Sequence, residues 1–267
     1  MTRNEEEKNE HLPDEEIEES YVPTAEDFLF DEEEDESTIK KKKRRTKLKR
    51  WIAIGVAFVL FLNGFAFIFQ QYSMDTIEFL KTSYRLSQQE DIQTYKQAVV
   101  TIQGERLKGT GFNIAEDGLV VTNHHVIEGL QGIGVSFPNG EMYVATLIES
   151  YPEIDIAFLQ IEGEHLPFLP LRENSGEVDE HIYVIGNPLS FAWISNEGEI
   201  LSYEEEVVTI SAPIYRGNSG SPVIGADGEV VAVVYAKTVP AIGSGDSSVG
   251  LAVPIEEVRK KLADINE

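Results

Sequence analysis

The chain has 267 residues, with 47 acidic against 22 basic side chains, a net charge of −25 and no cysteine. Disulfide stapling is therefore excluded, and so acidic a balance argues against nucleic-acid binding, which needs a basic face.

Residues 1–39 hold seventeen acids against Arg3 and Lys8 and few large apolar side chains. Such a segment repels itself and buries too little surface to offset its ordering entropy, so a disordered tail is expected. A solvating tail accounts for it; its only aromatics lie in SYVPTAEDFLF, residues 20–30, the docking element if a cytoplasmic partner exists. The charge then reverses in KKKKRRTKLKR, residues 40–50, with nine bases and no acid.

WIAIGVAFVLFLNGFAFIF, residues 51–69, follows with no charge and one Asn. At helical rise it spans about 28 Å, close to the hydrocarbon thickness of a bilayer, so 51–70 is expected to be a transmembrane helix. The run is long for a signal peptide, starts some fifty residues into the chain and lacks a small-x-small cleavage site after it. The basic block orients such a helix with the tail in the cytoplasm and the rest outside, giving a single-pass cell-membrane protein with an extracytoplasmic domain. The block also suits anionic lipids, although topology alone accounts for it. The residues outside carry about −19 of the total charge, and their lack of cysteine points to a bacterial surface protein.

Residues 71–96 are polar with scattered apolar side chains and read as a partly helical connector. From 97 onward the texture changes to short Val- and Ile-rich runs: AVVTIQ, GTGFNI, GLVVTN, GIGVSF, MYVATLI, IDIAFLQI, HIYVIG, EVVTIS, SPVIG and EVVAVVYA. Turn dipeptides Asp117-Gly118, Asn139-Gly140 and Asp227-Gly228 punctuate them. Many short strands without intervening helices indicate an all-β sandwich or barrel. PIEEVRKKLADI, residues 254–265, places Ile255, Val258, Leu262 and Ile265 at helical spacing and predicts a closing helix.

RGNSGSPV, residues 216–223, offers two serines, and a serine becomes a nucleophile only with a neutral histidine and an acid that orients it. His11 lies in the tail, and His165 and His181 sit in polar, turn-like surroundings. His124 and His125 end the hydrophobic run GLVVTNHHV, and position alone does not separate them. Among the acids, Asp117 and Asp227 are explained by their turns. Asp155 interrupts IDIAFLQI, which otherwise reads as buried strand, and a buried carboxylate needs a donor partner; an edge-strand Asp facing water is the competing account. In acyl transfer the oxyanion is held by the N–H of the nucleophile and of the residue two before it, which wants a permissive backbone. That favours Ser219, with Gly217 two before it, over Ser221, which lacks such a glycine and precedes Pro222.

In this order, GTGFNIAEDGLVVTNHHV (109–126), IDIAFLQI (154–161), IGNP (185–188), GNSGSPV (217–223), GEVVAVVYA (228–236) and GLAVPI (250–255) resemble the HtrA/DegP-like branch of chymotrypsin-type serine proteases. The resemblance covers nearly all of residues 98–260. It implies two packed antiparallel β-barrels with the active site in the cleft between them. Its Thr-Asn-x-His-Val pattern implies His125 as base, with Asp155 as orienting acid and Ser219 as nucleophile. The chain departs from the family in three places. No PDZ region is expected after the closing helix, the usual double glycine after the nucleophile is Gly220-Ser221, and ISAPIYRGNS replaces the usual Thr-Asp-Ala-Ala run.

The expected activity is a membrane-anchored serine endopeptidase of the protease domain 97–267. It would hydrolyse unfolded or exposed extracytoplasmic polypeptides through an acyl-enzyme, in quality control, stress response or processing. The oxyanion would be held by the amides of Gly217 and Ser219. Pro213, six residues before Ser219, stands where trypsin-like enzymes place an acid, so cleavage after Lys or Arg is not expected. Pocket walls from Val234, Tyr235, Ala236 and Gly250–Ala252 suggest a small or medium apolar residue. No zinc spacing or calcium loop occurs, so no metal or cofactor is expected. Related proteases often form trimers, and the sequence leaves a homotrimer open. The alternative is a non-proteolytic membrane scaffold or signalling protein that keeps the fold.

Overall fold

The computed structural model describes residues 36–104, 108–189, 191–204, 206–239 and 248–266, with the side chains of 36, 65–76 and 266 outside the description. The acidic tail up to residue 35 lies outside it, whereas residues 36–39 belong to helix α1. The chain divides into two compact units, Met1–Ile68 and Phe69–Glu267. The described part of the first is residues 36–68 of helix α1 (Glu36–Leu86), which carry the basic block. Among the described residues no helix is long and apolar enough to cross a membrane. The transmembrane expectation for 51–70 is not supported within the described residues, and the side chains of 65–70 lie outside the description.

In the second unit, the connector is more helical than its polarity predicted. Helix α1 continues to Leu86, and α2 (Glu90–Ala98) follows after a short turn, with Ile92 and Ala98 buried. Among the described residues, twelve strands then form two closed barrels. The first has the order β1-β2-β3-β6-β5-β4, from β1 (Val99–Gln103), β2 (Lys108–Asn113), β3 (Leu119–Thr122), β4 (Ile133–Ser136), β5 (Met142–Tyr151) and β6 (Ile156–Gln160). The second has the order β10-β11-β12-β9-β8-β7, from β7 (His181–Gly186), β8 (Ile194–Glu204), β9 (Val207–Ile210), β10 (Pro222–Gly225), β11 (Val230–Lys237) and β12 (Gly250–Pro254). All twelve ladder pairs are antiparallel, and with the C-terminal helix the architecture fits a chymotrypsin-like fold.

Alternation sets which side chains fill each barrel. Val100, Ile102, Val120, Val135 and Leu159 pack inside the first, and Ile182, Val184, Val208, Ile210 and Val231 inside the second. Residues facing the other way, including Phe112, Val121, Phe158, Ile185 and Val233, join a third cluster with Leu86, Ile92, Ile255 and Val258. That cluster draws on both barrels and on three helices, and it fixes the placement of the loops described below. The expected turns lie between β2 and β3, β4 and β5, and β10 and β11.

Strand β8 was not expected. Its burial alternates only weakly, because Glu197, Glu199, Ser202 and Glu204 break the apolar pattern. Helix α4 (Ile255–Asn266) starts within a residue of its predicted position. Its first amide is held from another part of the chain: Ile255 N–H donates to Ser175 Oγ (3.0 Å), while Glu256 accepts from Ser175 N–H (2.9 Å).

Candidate active site

Strand β3 ends at Thr122, and one helical turn, α3 (His124–Ile127), carries both histidines. His125 turns toward Asp155: its Nδ1 lies 2.6 Å from Asp155 Oδ2, and its backbone N–H donates to Oδ1 at 2.9 Å. A carboxylate can only accept, so Nδ1 donates this bond, and in the neutral imidazole that tautomer leaves the lone pair on Nε2. His124 faces elsewhere, with Nδ1 at 2.5 Å from Ser150 Oγ. The structure thus separates two histidines that their strand-end position left equivalent. Of the others, His165 lies in a loop, and His181 opens β7, stacked edge-on with Tyr183.

Asp155 is not inside a strand, as the pattern of IDIAFLQI suggested. It immediately precedes β6 with φ of 55°, a left-handed backbone uncommon outside glycine. Three bonds hold it there besides those to His125. Asn123 Nδ2 donates to its carbonyl at 2.7 Å, His124 N–H at 3.2 Å, and its own N–H donates to Pro152 O at 3.3 Å. Leaving the strand aims the carboxylate along the barrel end and not into the barrel. Asn123, fully buried, is a supporting residue for which the single sequence gave no role.

The loop that carries Ser219 consists of two overlapping β-turns. Asn218 N–H donates to Tyr215 O (3.0 Å) and Ser221 N–H to Asn218 O (2.9 Å), with Gly217 at φ 104° and Gly220 at φ 82° in the third positions. Positive φ there is the signature of type II turns and favours glycine. A Cβ on Gly217 would come 2.4 Å from Asn187 O, and one on Gly220 2.0 Å from Thr110 O. Around the loop, Asn218, Gly220 and Ser221 all spend their N–H groups on carbonyls. Among the described residues, Gly217 N–H and Ser219 N–H have no such acceptor, which leaves this pair of amides able to donate to an added oxygen. Ser219 is partly exposed, whereas Ser221 is fully buried with its Oγ unpartnered among the described residues. Only the first can meet a substrate. No hydrogen bond joins Ser219 Oγ to His125 among the described residues, a bond that commonly tightens only when substrate arrives.

Thr110 and Val234 bond this loop directly, and Asn187 supports it through Thr110. Thr110, from β2 of the first barrel, donates its N–H to Ser219 O (2.9 Å) and its hydroxyl to Gly217 O (2.7 Å). Asn187 sends its N–H to Thr110 Oγ1 (2.9 Å) and its amide to Val100 O (3.0 Å). Val234 accepts from Gly220 N–H (2.8 Å) and donates to Ser221 O (2.9 Å). Thr110 and Asn187 stand in the quoted motifs GTG and IGNP, yet their roles need the fold to be visible.

Of the expected pocket residues, Val234 is buried in β11 and serves the loop through its backbone. Tyr235 sits at the β-bulge between Val234 and Ala236. It lines a cavity of about 170 Å³ with Ile154, Asp155, Val207 and Val253, rimmed by Glu153, Glu206 and Glu257. Burial, then the Asp155 carboxylate, push its phenol pKa above the ordinary value. Pro213 lies elsewhere, in a cavity of about 400 Å³ with Phe79, Thr82, Asn196 and Tyr215. Among the described residues, no group of three or more His, Cys, Asp or Glu is placed to hold a metal ion.

Residues 109–233 match the family described as trypsin-like peptidase domain. A "probable periplasmic serine endoprotease DegP-like" of Chlamydia muridarum is 35% identical over 164 residues, covering 57% of this chain and 32% of the relative. Human "serine protease HTRA4" is 30% identical over 184 residues, covering 62% and 37%. The chain therefore spans about a third of the length of these curated relatives. The crystal structure of a serine endoprotease from Yersinia pestis aligns with a TM-score of 0.61 at 25% identity, over 69% of this chain and 66% of that one. An inactive serine-to-alanine mutant of Rv3671c from M. tuberculosis H37Rv aligns at 0.58 and 26%, over 66% and 90%. By sequence within residues 109–233 and by fold across both barrels, the chain is similar to trypsin-like serine endopeptidases of the DegP and HTRA kind.

Proposed function

We propose that the chain is a serine endopeptidase in which His125, Asp155 and Ser219 form the catalytic triad and the amides of Gly217 and Ser219 the oxyanion hole. The observation that carries this reading is the His125 Nδ1 to Asp155 Oδ2 bond of 2.6 Å, beside a serine whose own amide is unspent. In the reaction, His125 Nε2 takes the Ser219 hydroxyl proton as Oγ attacks the scissile carbonyl. Asp155 stabilises the resulting imidazolium, and the two amides bind the oxygen that gains charge. The imidazolium then protonates the leaving amine, and water resolves the acyl-enzyme by the same route in reverse.

The substrates in this proposal are unfolded or exposed polypeptide segments outside the cytoplasm. The uncharged run 51–69 after nine bases supports a single-pass anchor in the cell membrane, with residues 1–39 cytoplasmic. That the Chlamydia muridarum relative is called periplasmic agrees with an extracytoplasmic protease domain. Treating the full chain in vesicles with a fluorophosphonate tests the reading. Labelling confined to Ser219 and abolished in Ser219→Ala is expected. An unlabelled wild-type protein would instead favour a non-proteolytic scaffold.

A further inference from the structure

The end of helix α1 presents one face to the second barrel. Phe79, Ser83 and Leu86, spaced by four and three residues, are at most 5% exposed. Ser83 Oγ accepts from Ser195 N–H at 3.1 Å, Arg85 pairs with Glu197, and Leu86 enters the shared core. These contacts anchor the helix end on β8 independently of Phe79. Phe79 itself meets Tyr215, edge to face, with ring centroids 4.7 Å apart. Lys237 Nζ also lies over the Tyr215 ring, 5.3 Å from its centroid.

Tyr215 is the first residue of the turn whose central peptide joins Arg216 to Gly217. A type II turn differs from type I by a near half-rotation of that central peptide, and glycine in the third position permits both. Here the type II form is held from the carbonyl side, because Leu189 N–H donates to Arg216 O at 2.7 Å. The same orientation leaves Gly217 N–H free of any described acceptor. Rotation of the peptide would carry that N–H away and present the Arg216 carbonyl in its place. The corner from which the peptide rotates is the residue gripped by Phe79.

We infer that residues 77–86 of α1 form an intramolecular activating element, with Phe79 a positioning residue that acts through Tyr215 to keep the Gly217 amide in the oxyanion hole. The inference rests on the proposed function, since it presumes Gly217 and Ser219 as oxyanion donors. An aromatic pair of this geometry contributes enough to bias a two-state turn by about tenfold. It ties the activity of the barrels to the helix that precedes them, so a chain cut after residue 86 would keep the triad and lose the support of its oxyanion turn.

The test compares full-chain wild type, Phe79→Ala and Phe79→Tyr in hydrolysis of a peptide ester and inhibition by the matching peptide aldehyde, whose hemiacetal oxygen occupies the oxyanion hole. For Phe79→Ala, a kcat about tenfold lower is expected, with KM within about twofold and aldehyde affinity weakened by a similar factor. Phe79→Tyr, which keeps the ring edge, should restore both. An unchanged kcat overturns the inference, as does a lower kcat with unchanged aldehyde affinity. Should Phe79→Ala fail to fold, Phe79→Leu carries the same readouts, and wild-type values there overturn the inference as well. A wild-type protein that neither turns over nor labels at Ser219 overturns the proposed function and this inference with it. An active wild type matched by an equally active Phe79→Ala overturns the inference alone.

Discussion

Thr110 of the first barrel donates its hydroxyl to the carbonyl of Gly217, and its backbone N–H to the carbonyl of Ser219, in the second. One residue therefore sets the height of both proposed oxyanion donors through the carbonyls next to them, while Asn187 N–H donates to the same hydroxyl. Thr110→Val keeps the shape and removes the hydroxyl, leaving a buried carbonyl and a buried amide short of partners. About 1–3 kcal/mol of stability should be lost, seen as a lower urea midpoint, with kcat falling and KM little changed.

Ser219→Ala should remove most of a roughly 10⁶-fold catalytic contribution, and Asp155→Asn about 10⁴-fold by setting the wrong imidazole tautomer. Single-turnover hydrolysis of a peptide ester by each purified variant is the measurement. Asp155→Asn should also fold less stably, because Asp155 binds both the ring and the backbone of His125.

At Gly217 any side chain is refused twice, by φ of 104° and by the Asn187 carbonyl 2.4 Å from the position of a Cβ. Gly217→Ala must shift the loop and misplace one oxyanion donor, a loss of about 10²–10³ in kcat. Circular dichroism should stay that of the wild type while turnover collapses. Wild-type turnover in this variant would remove Gly217 from the site.

Arg172 binds Glu180 at 2.8 Å and Asp227 at 2.6 Å, joining the loop before β7 to the β10–β11 turn. For Asp227, burial raises the carboxyl pKa, but the Arg172 bond and the Glu229 amide outweigh it, and the net direction is down. A folded pKa below the unfolded one contributes stability that is present above the ordinary carboxylate range, near pH 4, and is lost as pH falls through the lowered value. Urea midpoints should therefore drop below about pH 4, and the drop should be shallower in Asp227→Asn.

Much of the second unit was legible because its signals are local. Val and Ile alternation marked most strands, glycine after Asp or Asn marked three hairpin turns, and spacing marked α4 to within a residue. Strand β8 escaped because barrel closure, not its own apolar pattern, makes it a strand: β7 and β9 satisfy its backbone on either side. The connector's helices, expected only in part, were less legible for a related reason. Their burial depends on partners more than a hundred residues away, such as Ser195 for Ser83.

By itself the sequence determined the chemical types and their order, histidine, aspartate and then serine with a glycine two places before it, because those choices rest on what each side chain and backbone can do alone. Only the tertiary structure decided the rest. It turned His125 rather than His124 toward Asp155, moved Asp155 off its strand into a left-handed turn, and buried Ser221 while leaving Ser219 open. It also brought Thr110, Leu189 and Phe79 to the loop that carries Gly217. These are relations between segments far apart in the chain, fixed by the closure and packing of two barrels, and no local pattern encodes them.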